Sequence, residues 1–210
     1  MILPRLYAIL DVDLLAARSL DLVAVASGWC DAGVKLVQYR NKQGADRAML
    51  NDAARLKNLF AETNVKLILN DRADLALLAG FDGVHVGQDD LAAEDARRIV
   101  GPEKWVGVST HSPDQRMEAD KTSCDYIAYG PIFPTASKSN PDPTVGLVGL
   151  RAARSLTSKP LVAIGGITRD NCRAVLDAGA DSVAVISGLL PEGDSMTTHQ
   201  VAEKFLALLR

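Results

Sequence analysis

Short apolar runs rich in β-branched residues alternate along the chain with stretches in which apolar residues recur at helical spacing. The second kind is illustrated by Ala53, Leu56, Leu59 and Phe60, which recur at helical spacing. Eight runs of the first kind predict strands: RLYAILD near 5, VKLVQYR at 34, VKLILND at 65, DGVHVG at 82, WVGVST at 105, DYIAYG at 125, PLVAIGG at 160 and DSVAVIS at 181. The pattern therefore predicts a strand followed by a helix, repeated eight times.

Glycines mark the predicted ends of several helices, as in DAGV at 31, LAGFDGV at 78 and DAGADSV at 177. Glycine suits the left-handed conformation that closes many helices. Thr168 is expected to cap the helix after the seventh strand, and the helix between Asp71 and Gly80 must be short. Strands separated by helices pair in parallel, so we predict an α/β fold, a single (β/α)₈ TIM barrel over 1–210. A doubly wound open sheet is the alternative fold.

Composition and charge limit the classes of partner that we expect for this protein. Hydrophobic residues make up 48% of the 210 residues and the formal net charge is -3, which does not indicate binding to nucleic acid or to an anionic membrane. Cys30, Cys124 and Cys172 lie far apart and form neither a disulfide framework nor a zinc motif, so reduced thiols and a cytoplasmic location are expected. No segment reaches the length of a membrane span. Small-molecule substrates are the expected partners, and a homo-oligomer is compatible with the sequence.

The second predicted strand changes character along its length. Alternation places Gln38, Arg40 and Lys42 on one face, together with Val34 and Leu36, which we expect in the packed interior of the barrel. Active sites of (β/α)₈ barrels lie at the carboxyl ends of the strands. Arginine and lysine there suit phosphate oxygens. This face therefore predicts an anion site at the barrel mouth.

Polar residues also follow other strands. Taken singly, Asp71 and Asp90 are interpreted as caps of the helices that follow them. Together, on adjacent strands, they offer the hard oxygen ligands that Mg²⁺ takes beside substrate phosphates, and with Arg40 and Lys42 they suggest a diphosphate. His85 lies mid-strand and is expected to line the barrel rather than bind a ligand.

A second anion site is predicted near the end of the chain. AIGGIT places Gly165 and Gly166 after the seventh strand, and VISGLL places Ser187 and Gly188 after the eighth. Backbone N–H groups after these two strands form the recurrent phosphate site of the barrel fold. We therefore expect a phosphate group here.

The ordered motifs LYAILD, VQYRNK, LILNDRADLAL, DGVHVGQDDL, GVSTHS, YIAYGPIFPTASK and VAIGGIT resemble the thiamine phosphate synthase family over essentially the whole chain. The resemblance implies a barrel that joins a hydroxymethylpyrimidine diphosphate to a thiazole phosphate, giving thiamine phosphate and diphosphate. It also implies that diphosphate leaves before the thiazole nitrogen attacks the pyrimidine methylene.

The resemblance further implies residue roles. Mg²⁺ would be held by Asp71 and Asp90. The residues implied in catalysis are Arg40, Lys42, Ser109 and Lys138. Those implied in substrate binding are Gln38, Tyr39, Arg40, Asn41, Lys42, Asn70, Ser109, Thr135, Ala136, Ser137, Lys138, Gly165, Gly166, Ile186 and Ser187. Ser137 stands where the family often has threonine, and the hydroxyl is kept.

Three other functions are compatible with parts of the pattern. A thiazole tautomerase of a related barrel type would use a histidine as acid and base, and His111 occupies such a position. A non-catalytic binder of thiazole or thiamine phosphates needs phosphate contacts but not the two carboxylates. A barrel acting on sugar phosphates would share the phosphate loops but not the Gln38, Arg40 and Lys42 set.

Overall fold

The strands close into a parallel barrel in which each pairs with its neighbour in sequence and β1 pairs with β8. The structure, a computed structural model, describes residues 1–135, 142–193 and 196–210. Within these ranges the strands are β1 Leu6–Asp11, β2 Leu36–Arg40, β3 Lys66–Asn70, β4 Gly83–Val86, β5 Trp105–Thr110, β6 Tyr126–Tyr129, β7 Leu161–Ile164 and β8 Ser182–Val185. The closed order confirms the (β/α)₈ barrel and rules out the open sheet.

Helices connect successive strands on the outside of the barrel. In the described ranges they are α1 Val12–Ala17, α2 Leu22–Ala32, α3 Asp46–Leu59, α4 Ala73–Leu78, α5 Ala93–Val100, α6 Pro113–Asp120, α7 Gly146–Ser155, α8 Cys172–Asp177 and α9 Thr198–Leu208. A short 3₁₀ turn covers Ser187–Leu189. The helix between Asp71 and Gly80 has six residues, as predicted. Among all the helices of the described residues, none is long and apolar enough to cross a membrane.

Alternation along each strand divides the core into two layers. Side chains of one set, among them Tyr7, Ile9, Leu36, Ile68 and Tyr126, pack together inside the barrel. The other set packs between the strands and the helices, where the larger apolar cluster lies. Because successive side chains point to opposite faces, the inner set continues towards the carboxyl ends and reaches the barrel mouth.

Two local predictions were wrong. Val34 lies two residues before β2 and packs in the outer layer, because its N–H still donates to the Trp29 carbonyl oxygen at the end of α2. Thr168 does not cap α8, whose first residue is Cys172 and whose N-cap position is Asn171. Asn171 Oδ1 instead accepts a hydrogen bond from the Thr168 N–H at 2.8 Å, which closes a turn before the helix begins.

Gly33 shows the predicted helix end directly. It lies at the C-cap of α2 with a φ of 96°, and its N–H donates to carbonyl oxygens of the last helical turn. Gly80 and Gly179 also have positive φ, at 66° and 104°. The glycine therefore turns the chain from helix to strand in all three places. That one domain accounts for residues 1–210 stays a prediction.

Candidate active site

A cavity of about 570 Å³ opens at the carboxyl ends of the strands. This volume lies within the range of about 300–1,000 Å³ that is usual for small-molecule sites. Predicted site residues make up much of its wall. Those lining it are Gln38, Arg40, Lys42, Asn70, Asp71, Asp90, Ser109, Thr135, Gly165, Gly166, Ile186 and Ser187. Residues from seven different strand ends therefore meet in one space.

The structure does not bring two of the predicted binding residues into the cavity. Tyr39 packs in the outer layer, where its hydroxyl donates to Asp52 Oδ2 at 2.9 Å. Asn41 Nδ2 donates to the same hydroxyl at 3.1 Å. Both belong to the strand face opposite Gln38 and Arg40, so alternation turns their side chains away from the mouth. Ala136, Ser137 and Lys138 lie outside the described residues.

Both cationic side chains of β2 and its following loop are paired with carboxylates. Arg40 donates to Asp11 Oδ2, and Lys42 Nζ lies 2.6 Å from Asp71 Oδ2. The buried Asp11 has a second partner, because its Oδ1 accepts from the Leu14 N–H and so caps α1 at 3.0 Å. Asp11 thus ties the direction of the Arg40 guanidinium to the start of a helix. The double contact of Asp11 is a feature that sequence reasoning missed.

Asp71 and Asp90 form a carboxylate pair. Burial, followed by the hydrogen bond to Asp90, raises the pKa of Asp71 to about 6, although Lys42 acts in the opposite direction. Burial also acts to raise the pKa of Asp90, but the hydrogen bonds from Asp71 and from the Gly87 N–H outweigh it and lower that pKa. Two carboxyl groups this close do not both ionise readily. The pair therefore favours either a shared proton or a cation between the two groups.

Neither aspartate caps a helix, so that interpretation of the sequence was wrong. The N-cap positions of α4 and α5 are Arg72 and Ala92, and neither makes a side-chain capping bond. Asp90 Oδ2 accepts from the Gly87 N–H at 2.8 Å within the loop. Asp71 has a φ of 65°, in the left-handed region that aspartate tolerates better than most residues, and its N–H donates to the His85 carbonyl oxygen at 2.7 Å. Loop geometry, and not helix capping, fixes the two side chains.

The Gly165 and Gly166 pair forms the opposite wall. Both residues have positive φ, at 99° and 63°. A Cβ on Gly165 would lie 2.4 Å from Pro131 Cβ, and one on Gly166 would lie 2.5 Å from the Pro134 carbonyl oxygen. Side chains are thus excluded here, which leaves backbone N–H groups as the available donors. The adjacent 3₁₀ turn begins at Ser187, so the loops after β7 and β8 meet as predicted.

The floor of the cavity contains polar residues that sequence reasoning did not connect. Gln38 Nε2 donates to the Tyr7 hydroxyl at 2.8 Å, which lies 3.0 Å from the Tyr126 hydroxyl. His85 Nδ1 lies 3.1 Å from Tyr126 Oη, and His85 Nε2 lies 2.8 Å from Ser109 Oγ. His85 lines the barrel, as expected. Alternation places each of these side chains inward, but only barrel closure shows that they touch.

His111 lies at the mouth, beside β5. Its Nδ1 is 2.8 Å from the Gly130 carbonyl oxygen, which can only accept, so the hydrogen resides on Nδ1. Asp142 Oδ2 lies 3.6 Å from the same nitrogen. His111 therefore faces the cavity in an orientation that its neighbours hold.

Comparison with known proteins identifies the family of this chain. A family model described as thiamine monophosphate synthase matches residues 6–189. The chain belongs to this family. It is 58% identical over 209 residues to a thiamine-phosphate synthase of Koribacter versatilis, with 99% of this chain and 96% of that protein covered. A thiamine-phosphate synthase of Shouchella clausii is 41% identical over 196 residues, with 93% of each chain covered.

A solved structure with a related sequence has the same architecture. The thiamine phosphate pyrophosphorylase of Pyrococcus furiosus superposes with a TM-score of 0.85 at 32% identity, covering 98% of this chain and 95% of that one. The resemblance inferred from the motifs is thus confirmed, together with the transferase class. The alternative functions are not favoured.

Proposed function

We propose that the cavity joins a pyrimidine diphosphate to a thiazole phosphate and releases thiamine phosphate and diphosphate. One observation carries the proposal: the cationic pair, the carboxylate pair and the glycine loops line a single cavity. A leaving diphosphate requires the first two, and the phosphate of a second substrate requires the third. A tautomerase or a simple binder would need only the third.

The pyrimidine diphosphate would lie with its phosphates between β2 and β3. Arg40 and Lys42 are then positioned to stabilise the negative charge that grows on the leaving group. Fixed charges aimed at developing charge are commonly the largest catalytic contribution. Diphosphate would take over the contacts that Asp11 and Asp71 now make with these cations, while Asn70 and Lys138 are proposed to contact it as well. No nucleophile from the protein is needed.

The donor set at Asp71 and Asp90 fits Mg²⁺. Two hard oxygen ligands and an adjoining phosphate site are the usual arrangement for this ion. Burial, followed by the hydrogen bond to Asp90, raises the pKa of Asp71, and a bound cation would stabilise the ionised pair. When bound, Mg²⁺ supplies further neutralisation of the diphosphate charge. The described residues hold no group of three histidine, cysteine or acidic side chains suited to a metal. Water and substrate oxygens would complete the shell.

The thiazole phosphate would bind across the cavity. Its phosphate is proposed to accept from backbone N–H groups at Gly166 and Ser187, with hydroxyls of Thr135 and Ser137 beside it. Ile186 belongs to the inner apolar set and would contact the thiazole ring. This arrangement brings the ring nitrogen towards the pyrimidine methylene after diphosphate has departed.

A coupling assay tests the proposal. The purified protein, supplied with Mg²⁺ and both substrates, is expected to yield thiamine phosphate and diphosphate in equal amounts. Incubation with each substrate alone is the control, because neither should give thiamine phosphate. Folded protein that forms no product from intact substrates would overturn the assignment.

Two predictions from the sequence stay predictions. These are a cytoplasmic location and assembly into a homo-oligomer. Leu77 and Leu78 at the end of α4 are exposed, as is Leu91 before α5. Sedimentation of the purified protein would settle the assembly state.

A further inference from the structure

Five polar side chains form a continuous hydrogen-bonded series across the floor of the cavity. It runs from Gln38 on β2 through Tyr7, Tyr126 and His85 to Ser109 on β5. Only its two ends, Gln38 and Ser109, are among the residues proposed to contact substrate. The three between them, the relay residues Tyr7, Tyr126 and His85, have no role in the proposed chemistry.

One assignment of the hydrogens gives every bond of the series a donor and an acceptor. Gln38 Nε2 donates to Tyr7 Oη, so the single hydroxyl hydrogen of Tyr7 is available for Tyr126 Oη, 3.0 Å away. In this assignment Tyr126 donates to His85 Nδ1, 3.1 Å away, and the imidazole hydrogen lies on Nε2. His85 Nε2 then donates to Ser109 Oγ at 2.8 Å. Each group thus accepts from one neighbour and donates to the next.

The surroundings hold this direction in place. Tyr7, Tyr126 and His85 are buried, and their rings lie against one another, with the His85 and Tyr126 centroids 5.5 Å apart in a stacked arrangement. The Tyr7 and Tyr126 rings meet edge to face at 6.0 Å. Burial raises the pKa of both tyrosines, so both hydroxyls keep the hydrogen that the series needs.

We propose that Tyr7, Tyr126 and His85 are positioning residues that fix the hydrogen-bonding character of the two substrate contacts at the ends of the series. With Nε2 of Gln38 committed to Tyr7, the amide turns its oxygen Oε1 to the cavity as an acceptor. With Ser109 Oγ accepting from His85, its own hydrogen is free to be donated to the cavity.

An acceptor at one end of the series and a donor at the other suit an aminopyrimidine, which has an exocyclic amino group on one side of the ring and ring nitrogens elsewhere. The exocyclic amino group donates to Gln38 Oε1, and a ring nitrogen accepts from Ser109. A pyrimidine lacking the amino group would leave the buried Gln38 oxygen without its partner. The relay residues would therefore select the aminopyrimidine. This inference rests on the proposed function.

The first test reads the direction in the unmodified protein. Nitrogen NMR of histidine labelled with ¹⁵N distinguishes the two neutral tautomers, and a His85→Gln variant assigns the His85 signals among the three histidines. Hydrogen on Nε2 of His85 is expected. Hydrogen on Nδ1 would make His85 the donor to Tyr126 and overturn the proposal. This measurement does not depend on turnover, so its failure is separate from a failure of the coupling assay.

The second test measures selectivity. Competitive inhibition is compared for the monophosphate of the aminopyrimidine and for its analogue without the amino group. Because the analogue cannot make one of the hydrogen bonds, the unmodified protein should bind the aminopyrimidine monophosphate about tenfold more tightly than the analogue. Tyr7→Phe and Tyr126→Phe each remove two hydrogen bonds of the series while keeping the ring, and the preference is expected to fall to about threefold or less. Inhibition by inorganic diphosphate should stay unchanged.

Tyr129→Phe is the matched control. Tyr129 lies on β6 like Tyr126 but packs in the outer layer, so the same substitution leaves the series intact. Its preference should equal that of the unmodified protein. Full preference in both relay variants would overturn the proposal, and so would equal weakening of the diphosphate and pyrimidine probes.

Discussion

Replacing Gly107 with alanine tests how closely the interior of the barrel is packed. Gly107 lies on β5 opposite Tyr126 of β6, and a Cβ there would be 2.1 Å from Tyr126 Cζ and 2.4 Å from its hydroxyl oxygen. The Tyr126 ring would have to move. That movement would break its hydrogen bonds to Tyr7 and His85 as well.

The cost can be worked from these contacts. Overpacking a well-filled core costs about 1–3 kcal/mol. Two lost hydrogen bonds add about 1 kcal/mol each. We therefore expect Gly107→Ala to lower the free energy of unfolding by about 3–5 kcal/mol in urea denaturation, with the unfolding slope unchanged.

A double-mutant cycle isolates the cause. In a Tyr126→Leu background the ring is absent, so Gly107→Ala should cost less than about 1 kcal/mol. In a Tyr126→Phe background the clash with the ring carbon remains, and most of the steric cost should remain with it. An equal cost of Gly107→Ala in all three backgrounds would refute the packing explanation.

The remaining predictions concern the mouth of the barrel. Asp71→Asn keeps a side chain that tolerates the left-handed backbone, so the melting temperature should stay close to that of the unmodified protein while kcat at saturating Mg²⁺ falls roughly 100-fold or more; an unchanged kcat would remove Asp71 from the metal site. Arg40→Ala should reduce kcat by a similar factor of roughly 100, measured as diphosphate release. Asp11→Asn keeps the α1 cap oxygen but not the charge facing Arg40, and is expected to lower stability by about 1–2 kcal/mol in urea. Gly166→Ala should raise the KM for thiazole phosphate at least about tenfold without a similar change for the pyrimidine substrate; equal changes in both would contradict the placement of the phosphate.

Local sequence patterns were sufficient to predict the repeated units of strand and helix. The runs near Leu6 and Ser182 are already apolar and of strand length, and the glycines at 33, 80 and 179 already mark helix ends. Because the side-chain repeat of a strand is two residues, alternation also predicts that Gln38 and Arg40 share a face. The mouth of the barrel was therefore predictable once the strands were counted.

Contacts that depend on loop conformation were not predictable in this way. Asp71 and Asp90 were equally compatible with helix caps, and their pairing arises from a left-handed residue after β3 and a tight loop after β4. Asn171, and not Thr168, occupies the N-cap position of α8. The Asn171 side chain accepts a hydrogen bond from the Thr168 N–H, and this bond closes a turn before the helix begins. Aspartate and asparagine side chains can hydrogen-bond to several nearby backbone groups, and the sequence does not show which of these bonds forms.

Contacts across the barrel were missed for a different reason. Tyr7 and Tyr126 are 119 residues apart, and each looks like an ordinary strand tyrosine. Tyr39, which the sequence grouped with the binding residues, belongs by alternation to the outer layer. Which inward side chains meet is set by the stagger of the strands around the closed sheet. The stagger is a property of the whole barrel and cannot be predicted from the sequence of a single strand.

The ion pairs at the mouth have a consequence for the response to salt. Arg40 and Lys42 are each matched with a carboxylate of their own chain before any substrate arrives. An incoming diphosphate therefore exchanges one ion pair for another, and dissolved salt weakens both the pair that is lost and the pair that is gained. Diphosphate affinity should accordingly decline only gently as ionic strength rises. Substituting Asp11 with asparagine would turn that gentle decline into a steep one, because Arg40 would then meet the ligand as an unmatched charge.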